Sequence, residues 1–133
     1  MRAAPLLDTH TWIWWLTGDV RLGQNALRRL DQLPPDSRPA LCDISLWEIA
    51  MLVQRRRLEL PVAFDAWLET AAAPQTVRIL PVTAQIAGEL SRLPESFHPD
   101  PADRLIVSTS RVHGLRVLTR DQRIAESGLV RLW

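Results

Sequence analysis

Six carboxylates stand where chemistry could gather. Asp8 ends the apolar run 3–7, Asp43 ends the run 38–42, and Glu48 follows one to two turns into a helical segment. Asp100 and Asp103 open a later helical segment, and Asp121 lies just past the apolar run 115–119. Taken singly, an acid at a helix start caps free N–H groups and complements the helix dipole. Four of them converging on one cleft, Asp8, Glu48, Asp103 and Asp121, would repel one another and raise their own pKa values. A protein tolerates that chiefly when a cation compensates it, and oxygen-only ligands suit Mg2+ or Mn2+. Zinc is not indicated, because His10, His98 and His113 are scattered and Cys42 is alone.

Positioning those acids requires strand ends. Strand-like apolar runs cover 3–7, 38–42, 77–82, 115–119 and 129–133. Helical spacing links Leu22, Ala26, Leu30 and Leu33, then Leu46, Ile49, Ala50 and Val53. It recurs at Phe64, Trp67, Leu68 and Ala71, at Ile86, Leu90 and Leu93, and at Leu105, Ile106 and Thr109. The prolines fall almost wholly at the boundaries between these segments. Such alternation predicts an α/β fold with a mostly parallel sheet covered on both faces, in one domain over residues 1–133. Ligands of such sheets collect beyond the carboxyl ends of the strands, where the acids fall. Locally, Ser45-Leu46-Trp47-Glu48 has the pattern of a capping box, which makes Glu48 a capping glutamate.

Composition removes several chemistries. The 133 residues carry 16 basic side chains against 15 acids, formally +1, and every basic one is arginine. Without lysine there is no Walker-type phosphate lysine, no Schiff base and no receiver-type phosphoacceptor site. A lone cysteine excludes an internal disulfide, and apolar runs such as Trp12 to Leu16 are far too short for a membrane span. The first residues show no signal-peptide pattern, so a soluble, cytoplasmic protein is the expectation. Trp12 and Trp15 share a helical face, and core packing or a subunit interface accounts for Trp12, Trp14, Trp15 and Trp47 better than base stacking does.

Four motifs in order carry a resemblance. Leu6-Leu7-Asp8-Thr9-His10 with the apolar run after it, Ser45-Leu46-Trp47-Glu48-Ile49-Ala50, His98-Pro99-Asp100-Pro101-Ala102-Asp103-Arg104, and Leu118-Thr119-Arg120-Asp121 together resemble a PIN domain of the VapC toxin type. The resemblance implies a three-layer α/β/α domain. It matches Asp8, Glu48 and Asp103 to three core metal-binding acids and Asp121 to a fourth, binding Mg2+ or Mn2+. Asp100 belongs to the third motif as a helix cap or an outer-shell acid. Thr9 and Thr119 match small hydroxyl positions that orient carboxylates or water, or simply cap strand ends. Arg104 matches the basic residue after the third acid, holding a carboxylate, meeting a phosphate or forming a surface ion pair.

The implied activity is metal-dependent cleavage of RNA by a toxin that pairs with a protein antitoxin and forms a homodimer. Cations held by these acids would activate water for in-line attack, leaving 5′-phosphate and 3′-hydroxyl ends. Arginine would supply the substrate grip, at Arg120 and in the dense run Arg55-Arg56-Arg57, which serves equally as a solvated helix end. If the four matched acids face metal, 11 of the 15 remain against 16 arginines, and the surface RNA meets is basic. Two positions depart from the family pattern: Asp43 stands where a small residue is usual, and Met51-Leu52 where a basic one is common. The competing functions are an RNA-maturation nuclease with no toxin role and a non-catalytic binding module whose acids only cap helices.

Overall fold

The computed structural model describes residues 3–133. Four short strands, β1 (Leu6–Leu7), β2 (Ala40–Cys42), β3 (Arg78–Leu80) and β4 (Val117–Leu118), form one parallel sheet in the order β3-β2-β1-β4. Leu6 stands opposite Ala40 on one side and Val117 on the other, and Leu7 opposite Leu41 and Leu118. Side chains alternate across a strand, so this register sends two different sets of residues to the two faces. Leu7, Leu41 and Leu118 pack with Trp12, Ile13, Leu22, Leu30, Ile49 and Trp67. Leu6, Ala40, Cys42 and Val117 pack with Ile106.

The first face is covered by α1 (Thr9–Thr17), α2 (Gln24–Asp31), α3 (Ile44–Gln54) and α4 (Phe64–Ala71), the second by α6 (Pro101–His113), against which α5 (Ala84–Arg92) packs. A short α7 (Gln122–Ala125) closes the end of β4, with Ile124 buried beside Leu93, Phe97 and Val107. Three layers result, as expected from the alternation of apolar runs. Each of the fully buried leucines 6, 7, 30 and 41 contributes roughly 1.5–3 kcal/mol by leaving water. Trp12, also fully buried, donates its Nε1 hydrogen to the Ala71 carbonyl at 3.0 Å and tilts against Trp67 with ring centroids 5.3 Å apart.

The first three strands are shorter than their apolar runs because Pro5, Pro39 and Pro81 bound them. Pro5 and Pro39 cannot donate to a ladder, but their carbonyls accept from Ala40 and Arg78 at 2.8 Å and start the pairing. The segment 129–133 forms no fifth strand. It makes an isolated parallel bridge, Val117 with Leu132, in which the Val117 N–H donates to the Arg131 carbonyl at 2.8 Å and the Val117 carbonyl accepts from the Trp133 N–H at 3.0 Å. Among the described residues no helix is long and apolar enough to cross a membrane.

The expected capping box is not formed. Asp43 occupies the N-cap of α3 without a side-chain cap bond, and the Ser45 hydroxyl turns instead to Thr9, 2.8 Å away. Glu48 is therefore released from capping and projects elsewhere.

Candidate active site

Strand order β3-β2-β1-β4 means the chain leaves β1 toward β2 on one side and returns to β4 on the other. Sheets of this kind open a crevice at that reversal, outside the carboxyl ends of the two strands. Here a cavity of about 330 Å3 lies there, lined by Asp8, Thr9, His10, Trp14, Arg21, Glu48, Asp100, Asp103, Arg120, Asp121 and Arg123. Five carboxylates from four separate motifs thus meet in one place.

Asp8 is fixed most firmly. It is the N-cap of α1 and only 5% exposed. Its Oδ1 accepts from the Thr11 backbone N–H at 2.9 Å and lies 2.8 Å from the Thr11 hydroxyl, while its Oδ2 accepts from the Thr119 hydroxyl. Thr119 Oγ1 in turn accepts the Asp121 N–H at 3.0 Å, so one hydroxyl ties the first acid to the fourth. Thr119 thus hydrogen-bonds one carboxylate directly and the backbone beside another. Thr9 lines the cavity and joins α1 to α3 through Ser45, one turn before Glu48.

Glu48 and Asp103 carry the electrostatic load. Glu48 Oε1 is buried with no hydrogen-bond partner. Burial raises its pKa, the charges of Asp100 and Asp8 add to the rise, and Thr9 and His10 oppose it. Asp103 is pushed up to about 7, first by burial and then by the charges of Asp100, Asp121, Glu48 and Asp8. His98 Nε2 sits 3.2 Å from Asp103 Oδ2, yet neither ring nitrogen of His98 has a hydrogen-bond partner. Burial, followed by the charge of Arg123, lowers the His98 pKa, which keeps this neighbour neutral and of little help to Asp103.

The remaining acids are partnered. Asp100 caps α6, accepting the Asp103 N–H at 3.0 Å, with Pro101 at the first helical turn. It therefore caps the helix and faces the cavity at once. Asp121 caps α7; its partial burial works to raise its pKa, but hydrogen bonds and the charge of Arg123 outweigh that and hold it low.

Several expected roles change. The Arg104 guanidinium donates to the carbonyls of Phe97 at 2.8 Å, His98 at 3.3 Å and Pro94 at 3.3 Å, so it fastens the loop before α6 and meets neither a carboxylate nor the cavity. Asp43 also stays outside, accepting the Val82 N–H at 3.2 Å and tying the end of β2 to the chain leaving β3. Arg55, Arg56 and Arg57 are exposed beyond the end of α3 and do not line the cavity. Arg120 does line it, its guanidinium packed near Gly23, whose φ of +91° is the left-handed backbone that glycine adopts readily. Among the described residues Arg120 pairs with no carboxylate.

Sequence reasoning missed Thr11, Ser45, Arg21 and Trp14 as cavity or supporting groups. Thr11 had a usable signal, three residues after an aspartate that ends a strand and opens a helix. Arg21 had none, because its approach depends on the reversal at Gly18.

A divalent cation fits this chemistry. An orphaned buried carboxylate oxygen at Glu48 and an Asp103 displaced by four neighbouring acids both mark uncompensated negative charge. Among the described residues no three His, Cys, Asp or Glu side chains converge closely enough to enclose a metal on their own. The oxygen donors that line the cavity suit a hard cation such as Mg2+ or Mn2+, which keeps several of its waters.

A family model described as PIN domain matches residues 6–128. The chain belongs to the PIN-domain family. Its relatives include "Ribonuclease VapC22" of Mycobacterium tuberculosis, 36% identical over 122 residues that span 90% of this chain and 88% of the relative. Among solved structures, a "Toxin-antitoxin complex from Klebsiella pneumoniae" matches with a TM-score of 0.67 at 22% identity, covering 96% of this chain and 95% of the other. The "Structure of FitAB bound to IR36 DNA fragment" matches with a TM-score of 0.70 at 23% identity, covering 96% and 92%. At those identities the structural matches establish the fold of this PIN domain and no more.

Proposed function

We propose that this PIN domain is a divalent-cation-dependent endoribonuclease, the toxin of a toxin–antitoxin pair. The observation that carries the proposal is the cavity at the β1–β4 reversal, where Asp8, Glu48, Asp100, Asp103 and Asp121 meet and two of them resist ionisation. A relative named a ribonuclease, similar over nearly the whole length, supports RNA as the substrate. A neighbour that is a toxin–antitoxin complex supports a protein antitoxin as the partner. A homodimer in the cytoplasm belongs to the same proposal.

Asp8, Glu48, Asp103 and Asp121 are the residues that would hold Mg2+ or Mn2+. When bound, the cation lowers the pKa of a water and neutralises charge building on the phosphate. The chain's own groups do the rest. Asp8 is held in one orientation by Thr11 and Thr119, so it offers a carboxylate whose position is set before substrate arrives. A cation held there would favour the charged form of Asp103, pushed up to about 7, and would offset the burial that raises Glu48. Arg120, without a carboxylate partner, is free to grip a phosphate oxygen. Arg123 is engaged by Asp121 and keeps that acid ionised and oriented.

Cleavage mapping on total cellular RNA tests the proposal, with Asp8→Asn as the control. Fragments that appear with the wild-type protein and Mg2+, and vanish with the variant, support it. Equal fragments from both proteins overturn it.

A further inference from the structure

One wall of the acidic cavity is aromatic. Trp14 lines it together with His10, half-buried and one turn along α1 from it, with ring centroids 5.7 Å apart and planes tilted by 50°. The guanidinium carbon of Arg21 stands 4.9 Å from the Trp14 ring centroid. Its place is set by the chain that follows the helix. Gly18, at φ +69°, ends α1, and Asp19 then caps the 3-10 turn Val20–Leu22. Asp19 clamps Arg21 through three bonds: its Oδ1 accepts the backbone N–H at 2.9 Å and Nε at 3.0 Å, and its Oδ2 accepts from Nη2 at 2.7 Å. The guanidinium thus stays over the indole, with Nη1 outside the clamp.

We propose that Trp14, flanked by His10 and Arg21, is a base-stacking subsite that seats an unpaired nucleobase of RNA next to the scissile phosphate. The inference rests on the nuclease reading of the same cavity and deepens it. The tryptophans are not all alike. Trp12 is spent on the core, fully buried and hydrogen-bonded, whereas Trp14 reaches the cavity that the acids line. Aromatic faces stack any base, and a fixed guanidinium adds a cationic edge, so the subsite suits single-stranded RNA. A duplex keeps its bases stacked inside and presents none to such a wall. Trp14 also packs against the core, as expected for it alongside a subunit interface, and the subsite adds a role at its exposed part.

The test uses abasic scanning. Binding of a fluorescent eight-nucleotide single-stranded RNA, and of copies with one base removed at each position in turn, is measured by anisotropy in EDTA. Cleavage of the same series is measured in Mg2+. Stacking worth 1–3 kcal/mol per base predicts one position at which base removal weakens wild-type binding by about fivefold to a hundredfold. Trp14→Leu binds the intact RNA with that same loss and becomes indifferent to base removal there. Trp14→Phe keeps the position dependence, and Arg21→Gln, which leaves the core untouched, weakens binding several-fold while keeping it. Thermal melting of each variant checks that it folds. The subsite is overturned if no position in the wild type is base-dependent, or if base removal and Trp14→Leu act independently. Cleavage without base dependence condemns the subsite and spares the nuclease. Base-dependent binding without any cleavage in Mg2+ does the reverse.

Discussion

Asp103→Asn makes the metal-free protein more stable, and the gain follows from the geometry of the cavity. Burial, and then four neighbouring carboxylates, push Asp103 from an ordinary 3.8 to about 7. Between those values the folded protein holds a proton that the unfolded chain has lost. The stability tied to that proton is full below about pH 4 and is lost as pH rises through 7. Roughly three pKa units at about 1.4 kcal/mol each give a penalty on the order of 4 kcal/mol at pH 8, and under half of that at pH 5. Asparagine carries no charge and escapes it, less the contact with His98. A net gain of about 3 kcal/mol raises Tm by roughly 10 °C in a domain of this size. The assay is thermal unfolding by circular dichroism in EDTA at pH 5 and pH 8, followed by addition of Mn2+. The variant melts higher at pH 8, with a smaller gap at pH 5. Mn2+ stabilises the wild type but not the variant, which also no longer cleaves RNA. A variant that melts at or below the wild type at both pH values in EDTA refutes the electrostatic reasoning.

Other outcomes follow from single contacts. Thr119→Val removes the hydroxyl that bridges Asp8 and the Asp121 backbone; cleavage falls about tenfold or more, while the melt drops by only about 1–2 kcal/mol. Arg104→Gln unfastens the loop 94–98 from α6 and costs about 1–3 kcal/mol in urea unfolding. Arg120→Gln raises the KM for RNA several-fold with melting unchanged, because its guanidinium makes no ion pair within the described chain. Trp12→Ala empties a fully buried site and loses the bond to Ala71; about 3–5 kcal/mol of stability goes with it, read from the same urea curves.

Much of the architecture was legible because period-two and period-3.6 patterns report burial directly. The runs ending at Asp8 and Asp43 were strands, and Leu6 and Leu7 face opposite layers as their register demands. The run 129–133 looked the same but meets β4 at Val117 alone, and how far two segments run side by side is a tertiary property. The candidate acids were legible through strand ends, and the structure brings Asp8, Glu48, Asp103 and Asp121 into one cavity. Ser45 misled, since a capping box and a cross-helix hydroxyl pair use the same residue and only the approach of Thr9 separates them. Arg104 misled for a similar reason, because a guanidinium beside acids can turn to carbonyls that sequence does not locate. Arg21 was invisible, reaching Trp14 only through the left-handed turn at Gly18 and the clamp of Asp19.

The rate of cleavage of a defined single-stranded RNA as a function of Mg2+ concentration tests the central claim most directly. No cleavage is expected in EDTA, with a saturable rise as Mg2+ is restored and products carrying 5′-phosphate ends. Cleavage at an undiminished rate in EDTA would contradict that claim.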